Sequence, residues 1–251
     1  MKIFRLIRGL SASAGYNMAL DESIFYRFLK DGIPVLRVYA WEAPSFTYGI
    51  SQHPEAEIDL SACLSDGVQV AQRMTGGGVL FHHREITYSI VCAKDDIGES
   101  KDVFVSYRRT CAFLVYFYKS LGLNPSFAVE SADFRDHCAA HQLCSASREK
   151  YDILLNGKKI GGNAQKRSRQ AIFQHGSIPL EIDWGFVRRY LHSLPADISS
   201  FVTTLNQEIS CVLTREVVED NLIRAFAQVF NVSFTEEKEN LSEVIHSVGE
   251  A

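Results

Sequence analysis

Three consecutive glycines, Gly76, Gly77 and Gly78, follow the run VAQRMT in the first half of the chain. Glycine loses more backbone freedom on folding than any other residue, so three in a row are costly to order. The run matches neither the Walker A pattern nor G-x-G-x-x-G, the two common phosphate-binding loops. With Arg73 just before it, the run predicts a ligand that lies against bare backbone.

A second glycine-rich segment, NGKKIGGNAQKR, places a lysine beside Gly161, Gly162 and Asn163. Lys158 and Lys159 are neighbours in a predicted strand, so their side chains point to opposite faces and one can face inwards. A lysine is usually a solvated surface residue. The glycine-rich surroundings nevertheless make Lys159 a candidate for binding or catalysis.

The polar, loop-like stretch DHCAAHQLCSASREKYD contains Cys144, the best candidate nucleophile among the six cysteines. A nucleophilic cysteine needs thiolate character, which a nearby ammonium or helix N-terminus supplies by lowering its pKa. A metal site is disfavoured, because the spacing of His137, Cys138, His141 and Cys144 matches no usual zinc pattern. We therefore expect no metal.

Amphipathic spacing predicts several helices around these segments. The first, SAGYNMALDESIFYRFLKDG, is capped by Ser13 and ended by Gly32, and the second, VFVSYRRTCAFLVYFYKSLGL, stops at Gly122. Further helices are predicted in WGFVRRYLHSL and TREVVEDNLIRAFAQVF, and a short, frayed helix in the tail TEEKENLSEVIHSVGEA.

Alternating apolar residues predict strands between the helices. PVLRVYAWE and SFTYGIS have the pattern of paired strands around the turn EAPS, and NGKK carries an Asn-Gly hairpin signal. GVQVAQRM, GVLFHHREITYSIVCA and the region around FQHGSIPLEID add further strands. Because helices and strands come in uneven runs, the pattern favours an α+β fold with mixed or antiparallel sheets flanked by helices.

Composition limits the class of protein. The 251 residues are 46% hydrophobic and 22% charged with a net charge of −4, which is typical of a soluble globular protein without a basic nucleic-acid-binding field. No stretch approaches a membrane span or a secretory signal, and scattered cysteines indicate a reducing compartment. We expect one cytoplasmic, monomeric domain over residues 1–251, with about 15 frayed residues at its end.

Five ordered segments resemble the lipoate–protein ligase and octanoyltransferase family, whose catalytic fold is shared with biotin–protein ligases. They cover roughly residues 15 to 185 and are GYNMALDESIF, VLRVYAWEAPSFTYGISQ, RMTGGGVLFHHREITYSI, NGKKIGGNAQKR and FQHGSIPLEID. The resemblance implies the biotin–lipoate protein ligase catalytic-domain fold. It also implies that Arg73, the glycine run and His82 line an acyl pocket, that Lys159 lies near the acyl carbonyl, and that His175 belongs to the site. Gln72 stands where family members often carry a first arginine.

Three branches of this family differ in chemistry. ATP-dependent ligases use the lysine, ATP and Mg²⁺, and the residues after IPLEID read here as helices of the same domain rather than an accessory one. A second branch places its cysteine three residues before the His-Gly pair, where this chain has Ile172. Octanoyltransferases of the Gram-positive type place a cysteine about 15 residues before the lysine, and Cys144 stands 15 residues before Lys159.

The resemblance therefore implies an octanoyltransferase with Cys144 as nucleophile and Lys159 as its cationic partner. Its substrates would be octanoyl-acyl carrier protein and the lipoyl domains of 2-oxoacid dehydrogenases and of the glycine cleavage H protein, and it would need no cofactor. His82 or His175 would either relay protons or form hydrogen bonds within the core. Three alternatives stay open: an ATP-dependent lipoate ligase, an amidotransferase between lipoyl-domain proteins, and an inactive homologue that only binds.

Overall fold

A mixed six-stranded sheet forms the centre of the part of the chain that the structure describes. The structure is a computed structural model and describes residues 1–98, 103–131, 149–209 and 211–239. His137, Cys138, His141 and Cys144 lie outside the described residues. The helices are α1 (Ala14–Asp31), α2 (Leu60–Asp66), α3 (Val103–Thr110), α4 (Ala112–Ser120), α5 (Trp184–Val187), α6 (Leu205–Glu208) and α7 (Arg215–Phe230).

Strands of the described residues form three sheets. The strands are β1 (Lys2–Ala12), β2 (Val35–Trp41), β3 (Ser45–Tyr48), β4 (Gln69–Gln72), β5 (Leu80–His82), β6 (Arg84–Cys92), β7 (Pro125–Phe127), β8 (Ile153–Leu155), β9 (Lys158–Ile160), β10 (Gly162–Arg167), β11 (Ile172–Glu181), β12 (Val202–Thr203) and β13 (Val232–Glu237). The central sheet has the order β10-β11-β6-β2-β1-β13, and the smaller sheets are β12-β9-β8-β7 and β4-β3-β5. Parallel and antiparallel pairs occur together, as in β1 with β2 and β2 with β6. The prediction of an α+β fold with mixed sheets is confirmed.

Helices cover both faces of the central sheet. Apolar residues of β6 alternate between the two faces. Tyr88 and Ile90 belong to the core that contains Phe113 of α4 and Phe226 of α7. Val91 belongs instead to the core formed with α1. Burying large aliphatic and aromatic side chains on both faces stabilises the sheet that carries the candidate site.

Local signals in the sequence predict several element ends correctly. Ser13 accepts a hydrogen bond from the Tyr16 N–H at the start of α1, and Gly32 ends that helix with φ 69°. Asn156 and Gly157 join β8 to β9 with φ 49° and 76°. Two consecutive positive φ values are what a two-residue hairpin turn of this kind requires, so the hairpin is confirmed.

Four predicted elements differ from the structure. PVLRVYAWE and SFTYGIS do not pair, because β2 lies between β1 and β6 while β3 lies in the sheet with β4 and β5. The long helix before Gly122 is divided at Cys111, where the Thr110 hydroxyl donates to the Ser106 carbonyl, a contact that bends helices. The helix predicted in WGFVRRYLHSL is limited to α5. The first residues of the predicted tail helix belong to β13, which pairs in parallel with β1, and residues 240–251 lie outside the described residues.

Candidate active site

The glycine run is folded around a buried guanidinium. Arg73 is 2% exposed, and its Nη1 donates to Thr47 Oγ1 at 2.8 Å. Its Nη2 donates to the carbonyl of Gly78 at 2.7 Å and to that of Gly76 at 3.3 Å. A guanidinium presents several donors in a rigid fork, so it can hold two carbonyls and a hydroxyl at once. Arg73 therefore fixes the shape of the glycine loop from inside.

Gly77 and Gly76 differ in whether the surrounding backbone requires a glycine at their position. Gly77 has φ 98°, a conformation that L side chains rarely adopt. Gly49 passes so close that a side chain there would overlap the Gly77 carbonyl. At Gly76, in contrast, an added Cβ would meet no atom within 4 Å. The backbone explains Gly77, whereas the protein itself does not explain why position 76 lacks a side chain.

Beside this loop lies a cavity between the central sheet and the sheet of β3, β4 and β5. Four of the predicted site residues, Arg73, His82, Gly162 and His175, contribute to its wall. The complete lining consists of Met18, Tyr39, Trp41, Thr47, Arg73, Leu80, His82, Thr87, Gly162, Ala164, His175, Gly176 and Ser177. The structure thus brings together residues that are far apart in the sequence.

Both ring nitrogens of His82 have close partners. Nδ1 lies 2.8 Å from Glu85 Oε1, and Nε2 lies 2.6 Å from Thr47 Oγ1. The imidazole also stacks on the Trp41 indole, with ring centroids 4.1 Å apart and an interplanar angle of 15°. Each ring nitrogen of His82 is thus paired within the wall.

His175 is buried in the same wall and contacts the glycine loop. Its Nε2 lies 2.9 Å from Thr75 Oγ1, and its Nδ1 lies 3.9 Å from Asp21 Oδ2. Burial lowers the pKa of His175 well below its ordinary value, and the charges of Arg73 and His82 lower it further. His175 is therefore a neutral imidazole near pH 7.

Lys159 lies apart from this wall, in the sheet of β7, β8, β9 and β12. Its side chain is 1% exposed, and its Nζ lies 2.8 Å from Asp152 Oδ2. The neighbouring Lys158 points to the other face, where its Nζ donates to the Ser199 carbonyl. The predicted division into one outward and one inward lysine is confirmed.

Gly161 joins the strand of Lys159 to the cavity. It has φ 69°, and a side chain there would overlap the Ser177 carbonyl. This close approach lets the chain leave β9 and continue as β10, whose first residue, Gly162, lines the cavity. The side chain of Asn163 accepts a hydrogen bond from the Tyr88 hydroxyl at 2.6 Å and does not line the cavity.

A comparison with known proteins assigns the family. The model of the lipoyl protein ligase A/B catalytic domain matches residues 13–227 of the chain. The chain belongs to this family.

Relatives within the lipoyl protein ligase A/B family extend the comparison. The octanoyltransferase LipM of Kyrpidia tusciae is 32% identical over 239 residues, which cover 91% of this chain and 87% of the relative. A lipoate-protein ligase A bound with ATP superposes with a TM-score of 0.79 at 23% identity, covering 99% of this chain and 94% of the other. A bipartite lipoate protein ligase of Thermoplasma acidophilum, described with its E2 lipoyl domain, gives a TM-score of 0.77 at 21% identity over 99% and 92% of the two chains.

These likenesses confirm the predicted family and its catalytic fold. The chain is an acyltransferase. No helix among the described residues is long and apolar enough to cross a membrane. Within the same residues, no group of three or more His, Cys, Asp or Glu side chains is placed to hold a metal ion. The quartet around Cys144 lies outside the described residues.

Sequence reasoning missed the polar side chains that hold the predicted ones in place. Thr47, Glu85 and Asp152 are all buried and each contacts a predicted site residue. Asp152 could have been found, because it ends the same stretch that contains Cys144. For Thr47 the sequence indicates only that the residue lies in a predicted strand. Gln72, in place of the family's first arginine, is exposed, and its Nε2 donates to the Ile50 carbonyl at 3.3 Å.

Proposed function

We propose that the chain transfers an octanoyl group from acyl carrier protein to a lysine of a lipoyl domain through a thioester on Cys144. The observation that carries this proposal is the buried pair of Lys159 and Asp152. A desolvated ammonium held beside a carboxylate is a fixed positive charge, which favours a thiolate and a developing oxyanion nearby.

The contact of Glu149 with this pair supports the choice of Cys144 as nucleophile. The N–H of Glu149 donates to Asp152 Oδ2 at 2.7 Å, the same oxygen that binds Lys159. Glu149 follows Cys144 by five residues. We therefore propose that the segment preceding Glu149 carries the thiol towards the Lys159 ammonium when the substrate is bound.

The proposed reaction has two steps. The Cys144 thiolate attacks the thioester carbonyl of octanoyl-acyl carrier protein, which forms a new C–S bond and releases the carrier thiol. The lysine ε-amine of the lipoyl domain then attacks the acyl-enzyme, which forms an amide and returns the Cys144 thiol. The thioester is already activated, so neither step requires ATP or a metal ion. Lys159 stabilises the oxyanion that forms in both steps.

The names of the relatives support the proposed acyl group and the proposed acceptor. The relative from Kyrpidia tusciae is named an octanoyltransferase, and the archaeal ligase is described with a lipoyl domain. We extend both to this chain and propose octanoyl as the acyl group. The proposed acceptors are the lipoyl domains of 2-oxoacid dehydrogenases and of the glycine cleavage H protein. We further propose that the enzyme acts as a single catalytic domain, as a monomer and in the cytoplasm, where these partners are made.

Intact-mass spectrometry tests the proposal. After incubation with octanoyl-acyl carrier protein and no ATP, we expect one octanoyl group on the wild-type chain and none on Cys144→Ala. Addition of an apo lipoyl domain should discharge the adduct and acylate that domain. Transfer that requires ATP and persists in Cys144→Ala would instead establish the ligase. Transfer only from an octanoylated lipoyl protein would establish the amidotransferase, and no transfer from any donor would indicate an inactive binding homologue.

A further inference from the structure

A buried carboxylate, that of Glu85, lies directly behind the cavity wall. Oε1 accepts hydrogen bonds from Thr87 Oγ1 at 2.5 Å, from His82 Nδ1 at 2.8 Å and from Trp41 Nε1 at 3.1 Å. Oε2 accepts from Ser177 Oγ at 2.6 Å. All four partners line the cavity, whereas Glu85 itself does not and is 5% exposed.

The four partners come from four different strands, and each donates a hydrogen bond to Glu85. Trp41 has one N–H and Ser177 one O–H, and Glu85 accepts both. The Thr87 hydroxyl donates to Glu85 and accepts from Trp41 Nε1 at 2.7 Å. What these side chains can present to the cavity is carbon: ring faces, a methyl group and a methylene.

We propose that Glu85 is a specificity-determining residue that makes this wall apolar and so selects an aliphatic acyl chain. The inference rests on the proposed function, because it assumes that the cavity receives the octanoyl tail. An alkyl chain cannot accept a hydrogen bond, so each donor left facing it would lose its partner in a buried place. The carboxylate offers acceptor sites only, and it satisfies all four donors from behind the wall. Glu85 acts through its partners and does not touch the acyl group.

The variant Glu85→Gln tests this role with two acyl lengths. Its amide replaces one acceptor oxygen by an NH₂ donor, so at least one wall side chain loses the acceptor for its own donor. The measurement is the rate of acyl-enzyme formation with butanoyl- and octanoyl-acyl carrier protein. In the wild type each buried methylene should raise the rate about fourfold. In Glu85→Gln the octanoyl rate should fall at least about tenfold, with the butanoyl rate within about twofold of wild type.

The control is Glu55→Gln, the same chemical change at an exposed side chain. It should leave both rates unchanged. An equal loss for both acyl lengths in Glu85→Gln would overturn the inference, because a purely structural role lowers every rate alike. If thermal unfolding shows that Glu85→Gln does not fold, Glu85→Asp takes its place. The shorter carboxylate cannot reach all four donors, so the same selective loss with octanoyl is expected.

Binding of the free acids separates this inference from the proposed function. Titration calorimetry with octanoate and butanoate should show that the wild-type chain prefers octanoate and that the Glu85 variants lose this preference. A wild-type chain that transfers no acyl group but shows this pattern contradicts the proposed function and supports the inference. Variants that keep the wild-type preference in both assays overturn the inference even if octanoyl transfer is confirmed.

Discussion

Lys159 Nζ lies 2.8 Å from Asp152 Oδ2, and both side chains are at least nine-tenths buried. Asp152 also accepts the N–H of Glu149, so one carboxylate joins the lysine to the segment that follows Cys144. Each of the two buried charges is stabilised by the other, because a single unpaired charge in the protein interior is strongly unfavourable. We therefore expect this ion pair to affect both the stability of the fold and the rate of the proposed acyl transfer.

Replacing the lysine should abolish most of the chemistry. In Lys159→Met, loss of the cationic group should slow octanoyl adduct formation on Cys144 about 100-fold, the typical effect of removing one oxyanion donor. Lys158→Met is the matched control, since that side chain lies on the opposite face of β9, and its rate should stay near wild type. Equal rates in the two variants would contradict the role of Lys159.

Removing the charge of Asp152 should lower stability. Asp152→Asn removes the carboxylate charge that lies 2.8 Å from the buried Lys159 ammonium, which should reduce the free energy of unfolding by about 3 kcal/mol. Urea unfolding measures this loss. Asp95→Asn, at an exposed position, should change the free energy by less than about 0.5 kcal/mol. An unfolding free energy equal to that of the wild type would contradict this stabilising role of Asp152.

Stability should fall as the pH is lowered below about 6.5, with His175 as one cause. The pKa of His175 is lowered in the folded chain, so between its folded and unfolded values the unfolded chain binds more protons. Stability then decreases with falling pH by at most about 1.4 kcal/mol per unit for this one group. In His175→Gln the part of the pH dependence of stability that comes from this histidine should be absent. Urea unfolding of both chains between pH 5 and 7.5 measures the difference, and parallel curves would contradict the assignment.

Two glycines should respond oppositely to alanine. Gly161→Ala should destabilise the fold strongly, because its φ is 69° and the new Cβ would overlap the Ser177 carbonyl. Gly76→Ala should fold normally, because the new Cβ meets no protein atom within 4 Å. If the acyl group lies against this bare backbone, Gly76→Ala should still slow adduct formation at least about tenfold. Wild-type rates of adduct formation in Gly76→Ala would contradict the proposal that the acyl group lies against the glycine run.

The sequence predicts the candidate residues better than the contacts that hold them. Arg73, His82, Gly162 and His175 come from three separate segments of the sequence, and the cavity brings them together. Nothing in the spacing of Glu85 within the sequence indicates its four hydrogen-bond partners, Trp41, His82, Thr87 and Ser177. Two of these partners, Trp41 and Ser177, lie far from Glu85 in the sequence. Only the pairing of strands from distant segments creates that arrangement.

The sequence by itself determined the local features of this protein: the capped helix α1, the Asn-Gly hairpin, the inward and outward lysines of β9, and the family motifs. These depend on residues within a few positions of each other, where backbone preference and side-chain alternation decide the outcome. The tertiary structure alone decided that β2 and β3 separate into different sheets, and that Arg73 lies inside its own loop. It alone decided that Glu85 stands behind the cavity wall, since burial and hydrogen-bond satisfaction are properties of the whole fold.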